Sequence, residues 1–147
     1  MSEGELIRTA LYDAHVERGG NIVDFHGFEL PIWYTSMMEE HLNTRENAGL
    51  FDVSHMGFFR FTGENVRLWM DGVGTQKASA IPPGRCAYTH FLDQEGLIID
   101  DMIFCVVSET EILGVPNASM IDHMWEHFHA NIVEGITIEN LSDDTSI

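Results

Sequence analysis

Apolar positions along this 147-residue chain switch between a helical and a two-residue period, and the switches mark its elements. Leu6, Ile7, Ala10, Leu11, Ala14 and His15 fall at helical spacing, which predicts a helix over residues 5–17 that Gly19-Gly20 ends. Asn21–Phe25 and Phe28–Tyr34 read as two short strands on either side of His26-Gly27. Ser36-Met37-Met38-Glu39 is a capping box, in which the serine accepts from a first-turn amide and the glutamate reaches back. Its helix is expected to run to Ala48, with Gly49 as the stop.

After an apolar run at Leu50–Val53, Phe58 shares a parity with Arg60 and Phe59 shares one with Phe61, which is strand alternation. Thr62-Gly63-Glu64 opens another helix, with Val66, Leu68, Trp69 and Met70 as its apolar side and Gly72 and Gly74 as breaks. Pro82-Pro83-Gly84 is a turn. Cys86–Leu92 and Leu97–Val107 then form a hairpin around Asp93-Gln94-Glu95-Gly96. Glu111–Val115 is a strand, Met120–Ala130 a helix, and Ile136–Leu141 a last strand. Ser142–Ile147 reads as the lead-in to one more strand, so the chain is expected to be a piece of a longer protein. The order indicates an α+β fold, a mixed or antiparallel sheet with helices, without repeats, linkers or low-complexity segments.

Composition adds exclusions. The length suits about one domain. No apolar run reaches the roughly eighteen residues of a membrane span, and Met1–Glu5 lacks the layout of a signal peptide, so a cytoplasmic protein is expected. Seven basic residues, of which only Lys77 is a lysine, face 24 acidic ones, for a net charge of −17. Such a surface repels phosphate backbones and argues against nucleic-acid binding. The acids are scattered, which fits either adaptation to high salt or an ordinary acidic surface. Cys86 and Cys105 lie in apolar runs and read as buried free thiols; without a Cys-x-x-Cys, structural zinc is not expected.

Three clusters carry chemical potential. In Gly96-Leu97-Ile98-Ile99-Asp100-Asp101-Met102-Ile103, strand parity sends the two carboxylates to opposite faces. One is expected to face outward or cap the turn. The other faces inward among Leu, Ile, Met and Phe, where a carboxyl can exchange protons or steady a developing cation. That both merely serve hairpin geometry stays open. In Phe51-Asp52-Val53-Ser54-His55-Met56-Gly57, the Asp-x-Ser-His run hints at a triad, but neighbours on an extended chain do not make one; a turn held by Asp52 and Ser54 fits better. His123 and His127 have metal-pair spacing without further ligands and read as surface histidines of an amphipathic helix, with His129 beside them.

Six segments together resemble the aminomethyltransferase (T-protein) family of the glycine cleavage system. They are Thr9–Val16, Val23–Phe25 through Leu30-Pro31, Glu39-Glu40-His41, Ala48–Gly57 with its Leu-Phe-Asp-Val-Ser-His-Met-Gly run, Ile98–Asp101, and Val115–Ala118. They occur in the family's order and spacing along nearly the whole chain. The resemblance implies the N-terminal part of a three-lobed folate-binding fold, covering residues 1–147. It implies tetrahydrofolate as co-substrate, a lipoyl carrier protein as partner, and aminomethyl transfer that releases ammonia and forms methylenetetrahydrofolate. By matching motif position it implies that Asp101 is the key acid, that Met56 lines the pterin, and that Tyr88, Ile103 and Asn117 contact folate. The second-aspartate position of Asp101 fits the inward-facing role. Family members are longer and grip folate with later residues, so a missing C-terminal half or a partner chain is expected, and little activity from these residues alone. The chain departs from the family's pattern at His26-Gly27-Phe28, Thr75-Gln76-Lys77, Leu97 and Cys105. A folate-dependent demethylase and a non-enzymatic folate-binding relative in iron–sulfur assembly stay open beside the transferase.

Overall fold

The computed structural model describes residues 6–145. The chain divides into two units, one ending at His55 and one spanning Met56–Thr145. Readings that fall on residues 1–5 and 146–147 lie outside the described residues.

The first unit holds β1 (Ile7–Arg8), α1 (Tyr12–Glu17), β2 (Ile22–Phe25), β3 (Phe28–Pro31) and α2 (Met37–Glu46). Its three strands run β1-β3-β2. Asn21 to Tyr34 folds as the expected hairpin, with β2 and β3 antiparallel. The two-residue loop has His26 at φ 54° and Gly27 at φ 88°, the left-handed pair that a tight hairpin turn demands. The Gly27 amide donates to Asp24 Oδ1 at 2.9 Å and helps hold the histidine in that conformation. The helix expected from residue 5 begins only at Tyr12. Ile7 and Arg8 instead pair in parallel with Phe28 and Glu29, because β3 presents an edge with open hydrogen-bonding groups. Ser36 caps α2 as expected, its Oγ accepting from the Glu39 amide at 3.3 Å. Leu50–Val53 forms no strand.

A buried polar cluster joins distant segments of this unit. The Asp52 side chain is 4% exposed and accepts from His15 Nε2 at 2.8 Å and Thr9 Oγ1 at 2.9 Å through Oδ2. Its Oδ1 takes the Ser54 amide at 2.9 Å, which is the turn expected from the sequence. His15 Nδ1 lies 2.6 Å from the Tyr34 hydroxyl. Asp52 thus pairs with His15, thirty-seven positions away, and makes no triad with its neighbours Ser54 and His55. Burial opposes ionisation of Asp52, and hydrogen bonds from Ser54, His15 and Thr9 outweigh it, holding the carboxyl down at about 2.

The second unit contains β4 (Phe59–Thr62), α3 (Val66–Val73), β5 (Arg85–Leu92), β6 (Ile98–Ser108), β7 (Glu111–Pro116), α4 (Ile121–Ala130) and β8 (Thr137–Asn140). The strands form one antiparallel sheet ordered β5-β6-β7-β4-β8. Phe59 and Phe61 are fully buried, with Phe58 and Arg60 on the other parity, as the alternation predicts. One sheet face, with Phe59, Phe61, Phe91, Met102, Phe104 and Ile112, packs against Val66, Trp69 and Met70 of α3 and Met124 and Phe128 of α4. Phe128 sits at the centre, its ring 4.9 Å from Phe61 and 5.1 Å from Phe91. Gly72 lies inside α3, and Gly74 caps its end. Two readings are corrected. Ser142–Asp144 makes a short 3-10 turn rather than a strand lead-in, with the Leu141 amide donating to Phe58 O at 2.8 Å to close β8 against β4. The cysteines are not buried: Cys86 is exposed and Cys105 half-buried, because they share the parity opposite the helices. No helix among the described residues is long and apolar enough to cross a membrane.

Two outcomes are expected in urea denaturation. Phe128→Ala leaves a cavity among four aromatic rings and costs about 3–5 kcal/mol. Asp52 has its folded-state pKa depressed from 3.8 to about 2, so its contribution is complete above pH 4 and is lost as the pH falls through 2. Asp52→Asn should remove about 2 kcal/mol of acid-sensitive stability across that window.

Candidate functional site

Three adjacent strands, β5, β6 and β7, position the candidate residues. Along β6, Asp100, Met102, Phe104 and Val106 face the helices and are buried, while Asp101, Ile103, Cys105 and Val107 occupy the other face and are half-buried or exposed. This reverses the expected parity. The inward carboxylate is Asp100, 7% exposed, and Asp101 stands on the face that α3 and α4 leave uncovered. The reason is compositional. Both parities of β6 are apolar on either side of the aspartates, so the strand alone cannot tell which side the helices will take.

Around Asp101 the register places His90 directly opposite on β5, with Tyr88 opposite Ile103 two residues along. Ile103 in turn faces Val115 of β7. The Tyr88 hydroxyl donates diagonally across the strands to Asp101 Oδ2. That bond, with some burial and the carboxylate's charge, raises the Tyr88 pKa above that of a free tyrosine, since ionisation would set two anions together. The rings of Tyr88 and His90 meet edge to face at 5.3 Å. Tyr88 and Ile103 are 52% and 53% exposed, which leaves a flat apolar surface beside the carboxylate.

Asn117 follows the end of β7. Its Nδ2 donates to Asp100 Oδ1 at 2.8 Å and to the Asp101 main-chain carbonyl at 3.3 Å. A main-chain carbonyl can only accept, so the amide cannot be turned round, and the two N–H groups are both committed. The Asn117 side-chain carbonyl is left as an acceptor. Asp100 Oδ2 is buried without a partner among the described residues. Met56 is brought alongside by backbone contact: the Gly57 amide donates to Pro116 O at 3.0 Å. A Cβ on Gly57 would lie 2.7 Å from Pro116 Cγ and 2.9 Å from Ile121 Cγ1, so only glycine permits the approach.

Residues 56, 88, 101, 103 and 117, scattered through the sequence, thus gather about the ends of β6 and β7 and the facing stretch of β5. The arrangement offers acceptors (the Asp101 carboxylate and the Asn117 carbonyl) beside the Tyr88 ring and Ile103. It suits a flat ring that carries N–H donors, and a carboxylate there can stabilise a neighbouring cation. One participant was not singled out from the sequence. His90 could have been found, since it shares Tyr88's strand parity. The bond from Asn117 to Asp100 joins separate strands and leaves no local signal. Elsewhere, His127 is half-buried against Phe91 rather than at the surface, and burial lowers its pKa. Among the described residues no group of three or more His, Cys, Asp or Glu side chains is placed to hold a metal ion.

In an alkaline titration followed by tyrosinate absorbance, two tyrosines, Tyr34 and Tyr88, should ionise late. Asp101→Asn should return one of them to the ordinary range; two late tyrosines in that variant would mean that the Tyr88–Asp101 bond does not form.

Comparison with known proteins identifies the family and the fold. Residues 11–147 match the family described as the GCVT N-terminal domain. The chain is 39% identical over 142 residues to an aminomethyltransferase of Deinococcus deserti, covering 96% of this chain and 40% of that protein. It is 39% identical over 142 residues to an aminomethyltransferase of Thermotoga maritima, covering 95% and 39%. One from Bacillus subtilis is 38% identical over 144 residues, covering 97% and 39%. The chain thus spans about two fifths of the length of these curated relatives. The crystal structure of the glycine cleavage system aminomethyltransferase T from Bartonella henselae superposes with a TM-score of 0.87 at 26% identity, covering 93% of this chain and 38% of that one. The α+β arrangement is therefore that of the aminomethyltransferase fold, and the chain belongs to the GCVT N-terminal domain family.

Proposed function

We propose that this chain forms the N-terminal part of a tetrahydrofolate-dependent aminomethyltransferase of glycine cleavage, with Asp101 as its catalytic carboxylate. One observation carries the proposal: the Asp101 carboxylate stands on an uncovered sheet face, bonded to Tyr88 and beside Ile103 and Asn117. A reduced pterin is a flat ring edged with N–H groups, and this face offers acceptors and an apolar seat of that kind. Tyr88 and Ile103 would seat the ring, the Asn117 carbonyl would accept from its edge, and Met56 would line the flank.

In the reaction we infer, the aminomethyl carbon delivered by a lipoyl carrier protein passes to tetrahydrofolate, ammonia leaves, and methylenetetrahydrofolate forms. The chain's part is to orient the folate nitrogens and to hold negative charge where a cationic carbon develops. The Tyr88 hydroxyl fixes the direction of the Asp101 carboxylate by occupying Oδ2, which leaves Oδ1 to face the reacting groups. Asp100 serves differently: it is buried on the helix side and holds Asn117, so it meets no substrate. The longer relatives have about three fifths of their sequence without a counterpart in these 147 residues. We take such sequence, on the same chain or a partner chain, to complete the folate cradle.

The test separates binding from turnover. Asp101→Asn in the completed site should lower glycine-dependent methylenetetrahydrofolate formation at least ~100-fold, with the reduced-folate Kd shifting no more than several-fold. Full turnover in that variant would remove Asp101 from the mechanism. The 147 residues alone should show weak or no turnover; vigorous glycine cleavage by them would refute the need for a complement.

A further inference from the structure

The uncovered face of the sheet carries a second chemical feature, apart from the folate residues. Cys86 on β5 and Cys105 on β6 are directly opposite in the antiparallel register. Their pair type follows from the edge of the sheet. At His90 the amide donates to Thr75 Oγ1 at 3.1 Å and the carbonyl accepts from the Thr75 amide at 3.0 Å. Both main-chain groups of His90 therefore point away from β6, and His90–Asp101 is a non-hydrogen-bonded pair. The register holds without a shift from Arg85 to Phe91, so the alternation gives Tyr88–Ile103 and then Cys86–Cys105 the same character. In such pairs the Cα atoms lie roughly 4.5 Å apart and the side chains approach most closely. A disulfide needs Cα atoms roughly 4.4–6.8 Å apart, so the strands already stand at a bridging distance.

We propose that Cys86 and Cys105 are a redox site, which forms a reversible cross-strand disulfide when a small organic disulfide such as oxidised glutathione is present. The division of labour follows from exposure. Cys86 is open to solvent, whereas Cys105 is half-buried, and burial together with a hydrogen bond to the Cys86 thiol pushes its pKa up. Cys86 is accordingly the attacking residue and Cys105 the resolving one. The Cys86 thiolate attacks one glutathione sulfur, the S–S bond breaks, and one glutathione thiolate leaves. Cys105 then gives its proton to solvent, and its thiolate attacks the Cys86 sulfur of the mixed disulfide, expelling the second glutathione thiolate. Two protein thiols lose two electrons and two protons, and one glutathione disulfide becomes two thiols. The new bond would staple β5 to β6 two residues from Tyr88 and Ile103, on the same face. The proposal rests on register and exposure and does not depend on the folate reading.

The reduced chain should be incubated with oxidised glutathione, quenched with acid, and analysed by intact mass and peptide mapping. The expected product is a monomer lighter by two hydrogens, with Cys86 and Cys105 linked and no thiol left for an aromatic disulfide reagent; dithiothreitol restores both. Cys105→Ser should stop at a stable glutathione adduct on Cys86. Cys86→Ser should react at least ten times more slowly at Cys105 than the unmodified chain does at Cys86. A persistent glutathione adduct on the unmodified chain, two surviving thiols, or linkage only between two chains would each overturn the proposal.

Discussion

Coverage of a single face of the five-stranded sheet governs the second unit. Helices α3 and α4 seal the side that carries Phe59, Phe61, Phe91, Met102 and Phe104, and the ring of Phe128 fits among them. Since neighbouring side chains on a strand point to opposite sides, burying one parity fixes the other. Asp101, Ile103, Tyr88, His90 and both cysteines occupy the uncovered face because their neighbours are needed in the core. Site and core are two readings of one alternation, and a register slip of one residue in β6 would exchange them.

The two aspartates show what this arrangement accomplishes. Asp100 lies under the helices, where a carboxylate is costly unless bonded, and Asn117 supplies the bond at 2.8 Å. The same asparagine reaches the Asp101 carbonyl, so the buried carboxylate braces the strand at the point where the exposed one leaves it. Tyr88 bonds the exposed carboxylate from the side. Asp101 is thus held by a tyrosine on one strand and, through its backbone, by an asparagine beyond another. A carboxylate constrained in this way has its orientation set before any ligand arrives.

In the first unit a polar cluster does the organising. Thr9, His15 and Ser54 converge from separate segments on the buried Asp52 carboxylate, and Tyr34 bonds the far side of the His15 ring. The Asp-Val-Ser-His-Met-Gly run, suggestive of a triad when read as a string, splits by function in three dimensions. Asp52 and Ser54 make a turn and His55 packs edge-on against Phe25 and Phe28 in the first unit, while Gly57 already belongs to the second and, within it, allows the close approach to Pro116.

Periodicity in the sequence was enough to locate α2, α3, α4 and strands β2 to β8 to within a few residues, because turn residues and caps act over three or four positions. The ordered motifs were enough to indicate the family. Ile7–Arg8 escaped, since its helical spacing yielded to an open edge on β3 that exists only once the hairpin has formed. The candidate residues Met56, Tyr88, Asp101, Ile103 and Asn117 were named from motif positions; that they lie together was decided by the pairing of β5, β6 and β7. The sequence by itself determined that Asp100 and Asp101 must face opposite ways, as parity is a property of the strand. Which of them is buried was decided only by the tertiary structure, because two nearly equally apolar strand faces are told apart by the helices that cover one of them.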